Sequence, residues 1–171
     1  MKIALYIGNH ASDSLITRAG WALTRAGQKG EFWQVTHVEA IHDEAADGTV
    51  TIASASIREG SLLTGSKNGV RTKSGVILMP GNWLITDVPQ WDVSRSIEWF
   101  AKHDGELYDT RGAFASPWPL QWSQPDRWFC NQAVADEFVK SAGSFGPSLF
   151  AAMVMSFGSD ATYNFFKERA R

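Results

Sequence analysis

A β-hairpin predicted in the first third of the chain constrains the fold more than any other feature. Residues 31–42, EFWQVTHVEAIH, are rich in aromatic and β-branched side chains, and TVTIASAS at 49–56 has the same strand-like character. The polar sequence DEAADG at 43–48 lies between them and is typical of a turn. Because the two arms of a hairpin are antiparallel, we expect an antiparallel sheet that contains residues 31–56.

The other predicted strands and helices are segregated along the chain rather than alternating. Strands are expected at 2–8 and within 76–88, and helices at 12–27, 91–105, 130–143 and after Pro147. A long loop is expected at the Gly- and Ser-rich residues 57–75, and an irregular segment at 110–126, which holds three prolines. This segregation favours the α+β class, with an antiparallel sheet packed against helices.

Length and composition indicate an ordinary globular protein. Of the 171 residues, 44% are hydrophobic and 20% are charged, and the net charge of −2 argues against a nucleic-acid partner. We expect one domain over residues 1–171, with 57–75 as a loop insertion that could act as a lid and 144–171 as a C-terminal helical extension. The apolar start is too short for a signal peptide or a transmembrane segment. This predicts a cytoplasmic protein, unless a signal-free route exports it.

Cys130, the only cysteine, is a candidate nucleophile. It begins the predicted helix 130–143, where unpaired backbone N–H groups favour a thiolate. Helix N-termini and cationic partners lower cysteine pKa values from about 8.5 to roughly 3.5–7.5, so we expect alkylation of Cys130 already near pH 6. A lone cysteine beside aromatic residues is also a common buried hydrophobe, so the assignment needs a partner. One cysteine and four scattered histidines lack metal-ligand spacing, and no metal or other cofactor is expected.

His37 is the candidate general base, because the middle of a strand holds an imidazole rigidly. A hairpin turn centred near residues 45–46 puts His37 opposite residue 54 or 55, and opposed residues share a face of the sheet. Ser54 is therefore the candidate that orients the imidazole, with Ser56 in its place if the register differs by two residues. The remaining histidines fall in predicted turns or at a helix end, at His10, His42 and His103.

This order of elements resembles the circularly permuted branch of the NlpC-type, papain-like cysteine peptidases, which includes YiiX-like proteins and lecithin retinol acyltransferase-like enzymes. In that branch the histidine strand precedes the cysteine helix. The resemblance spans about residues 2–142 and is carried by THVEAI (36–41), IASASIREG (52–60) with NGVRTK (68–73), GELYDTRG (105–112) and DRWFCNQ (126–132). The chain departs from the family at Cys-Asn-Gln, where relatives have Cys-Ser-Glu, and at Ser54, where many have His or Glu.

The resemblance implies a papain-like domain in which Cys130 is the nucleophile and His37 the base. It also implies supporting roles near the active site for Tyr108 and Trp128. The reaction would be hydrolysis of an amide or ester bond, in a peptide, peptidoglycan or lipid, through a thioester intermediate. Two alternatives remain open. One is a lipid acyltransferase or amidase with the same dyad, and the other is a degenerate binding or phage-associated protein that keeps the fold without turnover.

Overall fold

The computed structural model describes residues 1–8, 18, 22, 24–27, 32–57, 69–115, 124–136 and 150–151. Within these ranges the strands are β1 Lys2–Tyr6, β2 His37–Glu44, β3 Val50–Ser56, β4 Gly69–Val76, β5 Trp83–Asp87, β6 Leu107–Tyr108 and β7 Arg127–Trp128. The helices are α1 Val93–Lys102, α2 Thr110–Ala115 and α3 Cys130–Ala135. Residues 24–27 are also helical, but most of the predicted helix 12–27, His10 and nearly all of 144–171 lie outside the described residues.

The strands form a mixed sheet that curls into a half-barrel, in the order β5-β1-β2-β3-β4-β6-β7. Neighbouring strands are antiparallel from β5 through β6, whereas β6 and β7 run parallel. The described part of the chain is therefore α+β, and the sheet, expected to be antiparallel, is mixed because of its last pair. The long connection from β6 to β7 contains α2, and such a crossover permits parallel pairing.

The hairpin of β2 and β3 forms close to its predicted position. Its ladder runs from Glu44↔Val50 to Ala40↔Ala53, with a bulge between Ile41 and Asp43. Gly48 has a φ of 82° in the turn, a conformation that glycine adopts without steric cost. The first strand starts at His37 rather than at residue 31, because residues 32–34 form a turn.

Two segments predicted to be irregular contain regular structure. Residues 69–75, the end of the predicted loop 57–75, belong to β4 because their backbone pairs along β3. Half of the β4 residues are exposed, and their polar character made the segment resemble a loop. Residues 58–68 lie outside the described part. Residues 110–115 of the predicted segment 110–126 form α2, whose Gly112 N–H donates to the buried carboxylate of Asp109.

One other predicted element is shorter in the structure, and two are confirmed. Of the strand region 76–88, only Val76 and Trp83–Asp87 belong to strands. The predicted helix 91–105 is confirmed as α1, where the Asp92 carboxylate accepts a hydrogen bond of 2.8 Å from the N–H of Ser94. The predicted start of a helix at Cys130 is also confirmed.

The two faces of the central strands differ in what they bury. On one face α3 packs against β2 and β3, and α1 packs against β2 and β4. The main core on this face includes Val38, Ala40, Ala53, Ala55, Phe100, Ala133 and Val134. Side chains alternate along a strand, so His37, Glu39 and Ser54 belong to the opposite face. That face carries a smaller apolar cluster at its other end, made of Ala4, Ile41, Val50 and Ile52.

Candidate active site

The sheet opens between β2 and β3 at the end where His37 lies. β1 pairs with β2 as far as Tyr6↔His37, and β4 pairs with β3 as far as Ser56↔Gly69. The ladder between β2 and β3, however, ends at Ala40↔Ala53. Residues 37–39 of β2 and 54–56 of β3 therefore border an opening. Their backbone groups that face this opening need other partners.

Val38 shows how the opening is filled. Its carbonyl accepts a hydrogen bond of 2.6 Å from the Ser54 hydroxyl. Its N–H lies close enough to Cys130, the first residue of α3, to lower the pKa of the thiol. The start of α3 thus lies at the opening and brings the cysteine to the strand that carries His37.

Cys130 is a protonated thiol at neutral pH. It is 3% exposed, and burial raises its pKa to about 12. The N–H groups of Val38, Asn131 and Cys130 itself lower the pKa, whereas the charge of Glu39 raises it further. The expected low-pKa thiolate, reactive near pH 6, is therefore wrong, because the loss of hydration outweighs the N–H groups. The thiol lies 3.6 Å from Asn131 Oδ1, to which it donates.

His37 is held by a carboxylate on its own strand. Its Nε2 lies 2.7 Å from Oε1 of Glu39, two residues further along β2 and therefore on the same face. The two residues are only 6% and 1% exposed, so this pair is shielded from water. The ring of Trp83 lies beside the imidazole, with 6.3 Å between the ring centroids.

Glu39 is ionised, and the guanidinium of Arg71 helps to keep it so. Arg71 on β4 contacts both carboxylate oxygens, with Nη2 3.2 Å from Oε1 and Nη1 3.4 Å from Oε2. Burial alone would raise the pKa of Glu39, but His37 and Arg71 outweigh it and lower the pKa to about 2. A carboxylate buried this deeply is stable only because it is both paired and hydrogen-bonded.

Ser54 does not orient the imidazole, contrary to the prediction. Its hydroxyl lies 2.6 Å from the Val38 carbonyl and 3.3 Å from that of Ala55. Extending the register from Ala40↔Ala53 puts Glu39 opposite Ser54 and His37 opposite Ser56, which is buried. The strand starts later than predicted and contains a bulge, and these differences shift the pairing by two residues.

Tyr108 and Trp128, the two expected supporting residues, lie in different surroundings. Burial raises the pKa of the Tyr108 phenol well above its usual value, and the nearby Cys130 and Asp109 raise it further. Tyr108 therefore belongs to the neighbourhood of the thiol as a protonated hydroxyl. The indole N–H of Trp128 donates to Glu106, and its ring packs edge-on against Trp99, 4.9 Å away. Trp128 thus joins an aromatic cluster beside α1.

Sequence reasoning missed Glu39 and Arg71. Glu39 stands two residues after His37, the spacing that puts two side chains on one face of a strand. That signal was available, but an acidic residue in a buried strand is expected only if it is paired. Arg71 could not be assigned, because its segment was predicted as a loop.

No family model, curated protein or solved structure matches this chain. None of the helices in the described part of the chain has the length and apolar character that a bilayer crossing requires. The described residues also contain no group of three or more His, Cys, Asp or Glu side chains placed to hold a metal ion.

Proposed function

We propose that this protein is a cysteine hydrolase that cleaves an amide or ester bond, with Cys130 as nucleophile, His37 as base and Glu39 as the residue that orients the base. One observation carries the proposal. The Glu39 carboxylate holds His37 Nε2 at 2.7 Å and lies close enough to Cys130 to raise the pKa of the thiol. The group that binds the proposed base thus also lies near the proposed nucleophile, and an activated nucleophile requires such a set of partners.

The tautomer of His37 supports this division of roles. An ionised Glu39 only accepts hydrogen bonds, so Nε2 carries the proton toward it. Nδ1 is then the nitrogen through which the imidazole would exchange a proton with the thiol. The imidazolium formed during the reaction would remain beside a carboxylate that stabilises it.

The reaction would start from a neutral thiol, not from a preformed ion pair. Nδ1 takes the proton of Cys130 while the sulfur attacks the acyl carbon, and His37 then returns that proton to the leaving amine or alcohol. A thioester remains on Cys130, and water, activated by the neutral imidazole, hydrolyses it. The protonated hydroxyl of Tyr108, near the thiol, could donate to the developing oxyanion.

The fold is compatible with the papain-like, permuted NlpC-type domain that the sequence resembles. The antiparallel strands β1 to β4, with α3 packed on β2 and β3, support that proposal. The substrate class remains an amide or ester of a peptide, peptidoglycan or lipid. The same cluster would serve an acyltransferase if an alcohol or amine replaced water.

The burial of Cys130 favours a second candidate, a binding protein that kept the scaffold without turnover. A thiol that is 3% exposed and has a pKa near 12 reacts only if substrate binding opens the site or if His37 removes its proton. The two candidates differ in one measurable property, which is acyl transfer to the sulfur.

Incubation with p-nitrophenyl acetate at pH 8, followed by intact-mass analysis, tests the proposal. We expect an acetyl adduct on Cys130 that forms at least about tenfold more slowly in His37→Ala, since a general base contributes on the order of 10²-fold or more. Cys130→Ser should form no thioester. His42→Gln, which removes a histidine five residues further along the same strand, is the matched control and should react like the wild type.

Equal acetylation of wild type and His37→Ala would reject the proposed base. The absence of both an adduct and p-nitrophenolate release in the folded wild type would favour the binding protein.

A further inference from the structure

Arg71 reaches the candidate site across an intervening strand. It lies opposite Ser54 in the β3–β4 register, and β3 separates it from β2, which carries Glu39. Its two terminal nitrogens nevertheless contact one carboxylate oxygen each, at 3.2 and 3.4 Å. A planar guanidinium that engages both oxygens restricts the rotation of the carboxylate.

One of the two carboxylate oxygens that Arg71 contacts also binds the imidazole. Oε1 of Glu39 contacts Arg71 Nη2 at 3.2 Å and His37 Nε2 at 2.7 Å. The orientation of the imidazole thus depends on a carboxylate whose own orientation depends on Arg71. The exposed fractions support this chain of contacts, since the Glu39 side chain is 1% exposed and that of Arg71 only 15%.

We infer that Arg71 is a positioning residue, which holds the Glu39 carboxylate in the orientation that fixes the tautomer of His37 and balances its charge beside Cys130. This inference rests on the proposed roles of His37 and Cys130 but makes its own prediction about the imidazole. Without the guanidinium, the carboxylate can rotate away from Nε2. Its negative charge is then unbalanced next to the thiol, and thiolate formation becomes less favourable.

The test uses Arg71→Met, Arg71→Lys and, as matched control, Lys73→Met. Lys73 is an exposed cation two residues along the same strand and the same face. ¹⁵N NMR of the imidazole nitrogens reports the tautomer of His37, and it needs no turnover. Wild type and Lys73→Met should show His37 protonated at Nε2, whereas Arg71→Met should show a mixture of tautomers.

The rate of Cys130 alkylation by iodoacetamide at pH 8 is the second measurement. It should fall about tenfold in Arg71→Met, the effect of a rise of about one unit in the thiol pKa. A residue that merely stabilised the fold would have the opposite effect, because loosening the site exposes the thiol and speeds alkylation. Arg71→Lys keeps the charge without the two parallel contacts, so its alkylation rate should stay near wild type while its tautomers mix.

An unchanged His37 tautomer in folded Arg71→Met, or faster alkylation, overturns the inference. If Arg71→Met does not fold, Arg71→Lys is the deciding variant. A His37 tautomer as uniform in Arg71→Lys as in the wild type would then overturn the inference. A protein that forms no acetyl adduct but loses its tautomer preference in these variants upholds the role of Arg71 while rejecting the proposed function.

Discussion

The two ends of β2 carry the same motif, His-x-Glu, with opposite outcomes. At one end His37 Nε2 binds Glu39, both residues are buried, and the charge of Glu39 acts on Cys130. At the other end His42 Nε2 contacts the Ser96 hydroxyl at 2.9 Å, while Glu44 pairs with Lys2 at the surface. Burial without a carboxylate partner lowers the pKa of His42 to about 4, so this half-buried histidine is neutral.

The bulge between Ile41 and Asp43 accounts for the difference. Regular alternation places residues i and i+2 on one face, and this holds for His37 and Glu39. The same alternation puts His42 on the face of Ala40, which packs against α1. The bulge then puts Glu44, opposite Val50, on the other face, so the side chains of His42 and Glu44 do not meet. The comparison teaches that His-x-Glu is a site only where the strand is regular and the face is buried.

Removal of the carboxylate should have the largest effect. Glu39→Ala leaves the partly buried Arg71 cation and the buried His37 without their shared partner, which should lower the free energy of unfolding by about 3–5 kcal/mol. Glu44→Ala, at the other end of the strand, removes an exposed ion pair and should cost less than about 1 kcal/mol. Urea denaturation followed by circular dichroism measures both, and equal losses would refute the distinction between the two ends.

The second-largest effect should come from protonation of Glu39 in acid. Its pKa is about 2 in the folded protein and near 4.5 in the unfolded chain, so the unfolded state takes up the proton first. The stabilisation is present above about pH 4.5 and declines as the pH falls toward 2, by on the order of 3 kcal/mol in total. The stability difference between wild type and Glu39→Gln should therefore decrease over this range in urea titrations. A difference independent of pH would mean that Glu39 is not ionised.

Ser54→Ala should have a smaller effect, confined to stability. It removes the hydrogen bond to the buried Val38 carbonyl and should cost about 1–2 kcal/mol. Thr51→Ala, near the other end of β3, removes an exposed hydrogen bond to Ser74 and should change stability by less than about 0.5 kcal/mol. The ¹⁵N spectrum of His37 should be unchanged in Ser54→Ala, and a change of tautomer would restore Ser54 as the orienting residue.

At neutral pH the smallest effect should come from the titration of His42. Its pKa is lowered from 6.5 to about 4, so the unfolded chain binds a proton before the folded protein does, and stability decreases as the pH falls from 6.5 to 4. His42→Gln has no imidazole to titrate, so its stability should decrease less over this range. The pH-dependent difference between the two proteins should vanish above pH 7. Thermal unfolding at several pH values measures it, and parallel curves for the two proteins would contradict the lowered pKa.

Several features of the candidate site were predictable because they depend on local signals. The strand around His37 follows from β-branched and aromatic composition, and the helix that starts at Cys130 follows from an amphipathic run. The partner of His37 was not predictable from pairing arguments. The expected partner, Ser54, was derived from a turn position, and a late strand start with one bulge was enough to move the pairing.

By itself, the sequence determined the hairpin, the helix that Asp92 caps, and the α+β class, since propensity, capping and turn chemistry act between near neighbours. Only the tertiary structure decided that Gly69–Val76 is a strand, which placed Arg71 against Glu39. It also decided that Cys130 is a buried, protonated thiol instead of an activated thiolate. The physical reason is that hydration and charge pairing depend on everything packed around a group, and residues far apart in the chain supply those surroundings.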